Sequence, residues 1–239
     1  GCRDDIMVYL MSKNLPPREA FNIMEKVRKG KGVSKEHEEL MLKYEVPAWY
    51  VESCKLIKYM FPKAHATAYV IMALRIGWFK VYRPIYYYAG FFSRRASAFD
   101  VEAMAHGFES IKSKLVELDS KIKNRSASAK EEDTFAALLL AIEMVARGMK
   151  FKQMNIHESE AINFKVLEDK ETLLIPFGAL DSLGPSIAHS IVAARNEHPF
   201  TSKQDVMRRT KLNATQFEKM NSMGVFDGLP EDDQIGLFS

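Results

Sequence analysis

Apolar residues recur at intervals of three and four over the first 150 positions, and the interruptions fall at Pro and Gly. Pro16-Pro17 opens a predicted helix from Arg18 to Lys29, Gly30-Lys31-Gly32 closes it, and Ser34 stands as N-cap of the next. Ser34-Lys35-Glu36-His37 lacks the Glu that would complete a capping box. Pro47 starts a segment through Met60, Phe61-Pro62 breaks it, and a helix of roughly 20 residues follows, ending at Arg83-Pro84. Tyr69, Met72, Ile76 and Phe79 repeat along it at helical spacing and are expected in a core. The stretch from Ser120 to Asp133, rich in Lys, Ser and acidic side chains, has the composition of a solvated turn or interdomain linker. A further helix is predicted from Thr134 to Arg147, closed by Gly148.

The period then changes. Phe164-Lys165-Val166-Leu167, a polar Glu168-Asp169-Lys170 turn and Thr172-Leu173-Leu174-Ile175 predict a β-hairpin between Ile162 and Pro176, without the Asn-Gly signature of a two-residue turn. Helices resume at about Ile187, the last ten residues are expected to be unfolded, and there is no long internal repeat. The expected fold is mainly α with one small β element. Its segments are a helical region over 1–120, a linker and connecting helix over 121–150, a hairpin-plus-helices domain over 151–229 and a tail over 230–239.

Composition narrows the class without naming a function. An apolar fraction of 47% is far above that of a disordered chain, and 34 basic against 31 acidic residues leave a formal charge of only +3. Nucleic-acid binding must therefore rest on local placement of Lys and Arg, not on their sum. Cys2 and Cys54, the two cysteines, lie in no zinc spacing, which fits a reducing cytoplasm. No stretch approaches a membrane span. The start, Gly1-Cys2-Arg3-Asp4-Asp5, is charged where a signal peptide is apolar, and without an initiator Met it is expected to be a cut from a longer chain.

Three short motifs carry candidate chemistry. Leu183-Gly184-Pro185-Ser186-Ile187-Ala188, after Ser182 and before Ile191 and Arg195, resembles the second half of a helix-hairpin-helix motif. In such a motif the hairpin and first-turn N–H groups point at one DNA phosphate, assisted by the helix dipole, and so bind without reading bases. Ser182 stands where Gly is usual, and the heptad equally fits an ordinary helix start after a Leu-Gly turn. A second unit follows, from the basic run Met207-Arg208-Arg209-Thr210-Lys211 to Gly224; two units in tandem would straddle a minor groove. Upstream, Lys63 and His65 beside a helix start, with Arg75 further along, offer donors and charge to a triphosphate, whereas a helix beginning earlier would send Lys63 and His65 to opposite sides. At the end, Gln234, Ile235, Leu237 and Phe238 follow an acidic approach and form a short docking peptide with two apolar anchors.

In this order the motifs resemble one family. The run Phe61-Pro62-Lys63-Ala64-His65-Ala66-Thr67-Ala68-Tyr69-Val70, with Arg75-Ile76, Phe79-Lys80, Tyr87-Tyr88-Ala89 and Phe92-Ser93, is similar to the fingers of bacterial C-family replicative polymerases, nearest the PolC type of DNA polymerase III alpha subunit. Cys2-Arg3-Asp4-Asp5-Ile6-Met7 resembles the preceding fingers segment, and Leu174-Ile175-Pro176-Phe177 resembles the approach to the family's duplex-binding helix-hairpin-helix region. Gln234-Ile235-Gly236-Leu237-Phe238 resembles its sliding-clamp peptide. The resemblance implies a C-terminal fragment that joins part of the fingers, a tandem helix-hairpin-helix domain and a clamp-binding tail. Its implied partners are primer-template duplex, a deoxynucleoside triphosphate, the clamp and the remainder of the polymerase. Lys63, His65 and Arg75 become nucleotide or template contacts. The carboxylates that hold two Mg²⁺ for phosphoryl transfer belong to a palm in that family, and no palm motif occurs here, so this segment has no catalytic residue, cofactor or metal of its own and is expected to be inactive alone. A complete, non-catalytic helix-hairpin-helix accessory protein of repair or recombination is the alternative, and a helical interaction scaffold without DNA affinity is a third.

Overall fold

A computed structural model describes residues 1–232, and the chain divides into two compact units, Gly1–Gly77 and Trp78 onward. The first unit holds α1 (Arg3–Ser12), α2 (Pro17–Arg28), α3 (Lys35–Lys43), α4 (Ala48–Leu56) and most of α5 (Lys63–Tyr82). Pro17 occupies the first turn of α2, whose Ala20, Ile23, Met24 and Val27 form one buried stripe packed with Leu10 of α1 and Met41 of α3. Gly30, at φ +69°, ends that helix where a Cβ would sit 2.3 Å from the Lys58 carbonyl oxygen, so only glycine fits. Ser34 does precede α3, but its side chain makes no cap hydrogen bond and its Oγ is buried without a partner.

The expected core positions on α5 are not core. Tyr69, Met72, Ile76 and Phe79 are between 47% and 67% exposed, and no residue of this 20-residue helix is buried. Its apolar residues run all the way round, so period alone could not choose a face.

The second unit contains α6 (Pro84–Arg94), α7 (Val101–Ala105), α8 (Phe108–Lys123), α9 (Ala129–Ala146), β1 (Lys150–Lys152), β2 (Lys165–Val166), β3 (Thr172–Leu174), α10 (Pro185–Glu197), α11 (Lys203–Arg209) and α12 (Ala214–Ser222). One core runs through it from Ile85 to Phe226. Phe92, Phe99, Phe151 and Phe164 pack mutually at 4.8–6.2 Å between ring centroids, tying α6 to the sheet. The boundary between the two compact units falls inside α5. The polar stretch from Ser120 to Asp133 is the solvated end of an antiparallel α8–α9 hairpin, and the inward faces of these helices supply Ile111, Leu118, Ala137, Leu138, Ala141 and Met144 to the shared core. Helix α9 starts five residues before the sequence expectation, at a capping box in which Glu131 accepts from the Ser128 amide at 2.8 Å. Hydrogen bonds from Lys121 and then Ser128 pull the Glu131 carboxyl down to about 2.

The expected hairpin is present, with β2 and β3 antiparallel and Val166 opposite Leu173. Asp169 closes its turn by accepting from the Glu171 and Thr172 amides, and Lys170 takes φ +54°. A third strand, β1, pairs parallel to β3, giving the order β1-β3-β2; three residues of Lys-Phe-Lys carry too little pattern to announce it. The start of the tail is held: Lys203 and Gln204 amides on α11 donate to the Pro230 and Glu231 carbonyls at 2.8 and 3.1 Å. Among the described residues no helix is long and apolar enough to cross a membrane.

Candidate nucleic-acid interface

The hairpin before α10 is short and outward-facing. Leu183 turns inward, 4% exposed, with its amide bonded to the Leu180 carbonyl at 2.8 Å, while Ser182, Gly184, Pro185 and Ser186 face solvent. Gly184 is the N-cap at φ −67° and ψ 159°, Pro185 is the first helical residue, and no side chain caps this end. No residue of the turn has positive φ, consistent with Ser at 182 in place of Gly. A Cβ on Gly184 would meet nothing within 4 Å. The fold itself therefore does not need glycine here. Ala188 and Ile191 are buried and Ile187 half-buried, so the apolar residues of the motif anchor α10 while its first turn stays open.

Beside this end runs an open groove of about 530 Å³ lined by Ser186, His189, Ser190, Arg208, Arg209 and Lys211, which brings the two sequence units to one face. The basic residues differ in role. The Arg209 side chain is 13% exposed; it bonds Asp205 at 2.8 Å, donates to the Ala194 and His198 carbonyls and stacks over Phe200. Arg208 also pairs with Asp205, but its side chain is 65% exposed, and Lys211 is exposed. Burial pushes the Asp205 carboxyl up, yet the hydrogen bonds from Arg209 and Arg208 outweigh it and hold it below its ordinary value. Arg195 points inward, donating to the Ile156 and Ser159 carbonyls at 3.2 and 2.7 Å. Of these basic side chains Arg208 and Lys211 are the exposed ones, while Arg209 and Arg195 hold the scaffold.

Sequence reasoning missed Gln216. Buried on the first turn of α12, its Nε2 donates to the Ser182 carbonyl at 2.7 Å, joining the second unit to the hairpin of the first. A Gln directly after Ala214-Thr215 at a helix start gives no hint of a partner 34 positions away.

In the first unit, Lys63, His65 and Arg75 are all exposed on α5 and do not converge. Lys63 is the first helical residue; its amide donates to Asp4 Oδ2 at 2.6 Å and its ammonium lies 3.6 Å from Asp5. His65 belongs to an aromatic row, stacked on Phe61 at 5.2 Å and against Tyr69 at 4.5 Å. Arg75 lies about 15 Å further along the axis from His65 at 1.5 Å per residue. Asp4 therefore already occupies one donor that an anion would use, a role its place beside Asp5 did not signal. The clamp-like residues Gln234, Ile235, Leu237 and Phe238 lie outside the described residues. Among the described residues no three His, Cys, Asp or Glu side chains gather in a group that could hold a metal ion.

Residues 148–234 match a family model described as a helix-hairpin-helix motif, which covers the sheet, the hairpin and both units. Over its whole length the chain is 50% identical to the DNA polymerase III PolC-type of Streptococcus suis and 49% identical to that of Halalkalibacterium halodurans, and 47% to that of Listeria innocua. It spans 16% of each of these relatives. With end-to-end similarity of this order and the helix-hairpin-helix region in place, the chain belongs to the PolC-type DNA polymerase III family.

Proposed function

We propose that this chain is the DNA-handling, C-terminal part of a replicative polymerase, gripping duplex behind the primer end without reading its sequence. The observation that carries this is the α10 start: an uncapped helix end whose glycine the fold does not require, beside a groove with exposed Arg208 and Lys211. Phosphates fit it and base edges do not, because the donors are backbone N–H groups and long cations in an open face. In the same reading Lys63, His65 and Arg75 of the fingers meet a deoxynucleoside triphosphate or template, and the tail residues Gln234, Ile235, Leu237 and Phe238 dock on a sliding clamp. The remaining polymerase chain covers α5 and supplies the palm with its two Mg²⁺. Nucleotidyl transfer belongs to the whole cytoplasmic enzyme; this segment binds and positions.

The test is a salt titration of duplex binding by the 239-residue chain. Affinity is expected to fall linearly on a log–log scale by close to one unit of slope per phosphate neutralised, and equally for two unrelated sequences. Salt-independent or sequence-selective binding contradicts the reading. Leu237→Ala with Phe238→Ala is expected to abolish capture on immobilised clamp and leave duplex affinity unchanged.

A further inference from the structure

Gln216 makes three hydrogen bonds, and they do not all serve one purpose. Its backbone amide donates to Asn213 Oδ1 at 2.9 Å and its Oε1 accepts from the Asn213 amide at 3.1 Å, which is the reciprocal capping box of α12. That box needs only an acceptor at this position, and Glu, with a charge favoured by the helix dipole, supplies it at least as well. Gln adds a donor, and the donor is in use: Nε2 reaches the Ser182 carbonyl at 2.7 Å. The amide's orientation follows from its partners, since an N–H on one side demands the oxygen and a carbonyl on the other demands the nitrogen.

The turn it reaches lacks a device that hairpins of this type usually have. Ser replaces Gly at 182, no residue there adopts positive φ, and the turn's own closure is the single Leu183-to-Leu180 backbone bond. A contact from α12 supplies rigidity that the local sequence does not. We propose that Gln216 is a positioning residue for DNA: it locks the Ser182–Gly184 turn to the first turn of α12, fixing the distance between the two units so that both meet their phosphates without rearrangement. The inference rests on the duplex-binding reading above. Its energetic basis is preorganisation, because two weak phosphate contacts add fully only when neither has to be ordered on binding.

Gln216→Glu in the 239-residue chain isolates this role, exchanging one NH₂ for an oxygen. The acceptor for Asn213 remains, and the donor to Ser182 becomes an anion facing a carbonyl. Amides of α12 are expected to keep their hydrogen-exchange protection, while the amides of Leu183, Gly184, Ser186 and Ile187 exchange several-fold faster. Duplex affinity is expected to drop about three- to tenfold, the worth of one lost hydrogen bond. Thr215→Glu, which puts the same charge on the exposed neighbouring position, should hold affinity within about twofold of wild type, being a single rim charge. If the carboxylate unfolds this corner, Gln216→Met, similar in volume and uncharged, carries the same expectation for the hairpin amides and for affinity. Unchanged hairpin exchange and affinity in Gln216→Glu overturn the proposal while leaving duplex binding intact. A wild-type chain with no duplex affinity at low salt instead overturns the DNA reading, and the exchange data then still decide whether the tether exists.

Discussion

Helices α5 and α9 are close in length, 20 and 18 residues, and both are rich in large apolar side chains, yet α9 buries Ala137, Leu138, Ala141 and Met144 and α5 buries none. The difference lies in arrangement. On α9 the acidic Glu131 and Glu132 sit in the first turn and the buried residues recur at intervals of one and three, so one stripe faces a core made by its own unit. On α5, Tyr69, Val70, Ile71, Met72, Leu74 and Ile76 point in every direction. An apolar stripe says that a helix packs on a neighbour; apolar residues on all sides leave no single face marked for burial.

The comparison is broken most sharply by matched substitutions. Leu138→Ala on α9 should destabilise the second unit by about 2–5 kcal/mol, while Leu74→Ala on α5 should change stability by less than about 0.5 kcal/mol. Hydrogen exchange of the helix amides reads both in the same chain, and a large cost at Leu74 would show that α5 is already packed. Where α5 runs into the second unit it is tied by polar contacts: Lys80 bonds Glu143 at 2.9 Å, and buried Tyr88 donates to Glu143 and accepts from Arg147 at 2.9 and 3.1 Å. Tyr88→Phe should cost about 1 kcal/mol, since Glu143 and Arg147 keep each other as partners. Denaturant melts check this, and a loss several times larger would mean the network is held through the hydroxyl alone.

Acid should separate α11 from α9, two helices of the second unit, in a similar way. The Asp205 carboxyl is held below its ordinary 3.8 in the fold, so its pairing with Arg208 and Arg209 contributes fully above that value and is lost as the pH falls below it. Amides of α11 should therefore lose protection below about pH 4 ahead of those around Leu138 and Ala141 in the middle of α9, where the buried residues do not titrate. Simultaneous loss would argue that Asp205 does not hold this corner. The smallest effect on stability is expected from Leu74→Lys, which should leave unfolding unchanged but lower the binding of a hydrophobic dye and any self-association of the chain. Undiminished dye binding would place the sticky surface elsewhere.

Much of this fold was legible because local chemistry is written in short spans. Pro17, Gly30 and Gly148 mark helix ends, the β2–β3 hairpin shows in two short runs of strand-favouring apolar residues around a polar turn, and α5 shows its length between two prolines. What stayed hidden depends on distant partners. The polar α8–α9 turn looks like a linker until the core beneath it is seen, β1 exists only because β3 lies beside it, and Ser34 caps nothing although its type and place are right. In the candidate site, the turn and helix start from Leu183 to Ala188 were readable as part of a helix-hairpin-helix motif. Its basic residues were not, because the inward turn of Arg195 and Arg209 depends on carbonyls and a carboxylate that no spacing rule links to them.

Gly184 offers the most direct test of duplex gripping by this chain. A side chain there meets nothing in the fold and its φ suits any residue, so Gly184→Val should leave the unfolding transition where it is. Against a phosphate seated on the α10 start, the same branched side chain occupies the approach path, and duplex affinity at low salt should fall at least about tenfold, the loss of one charge-assisted hydrogen bond or more. Equal affinity of Gly184→Val and wild type, with equal stability, would contradict the account.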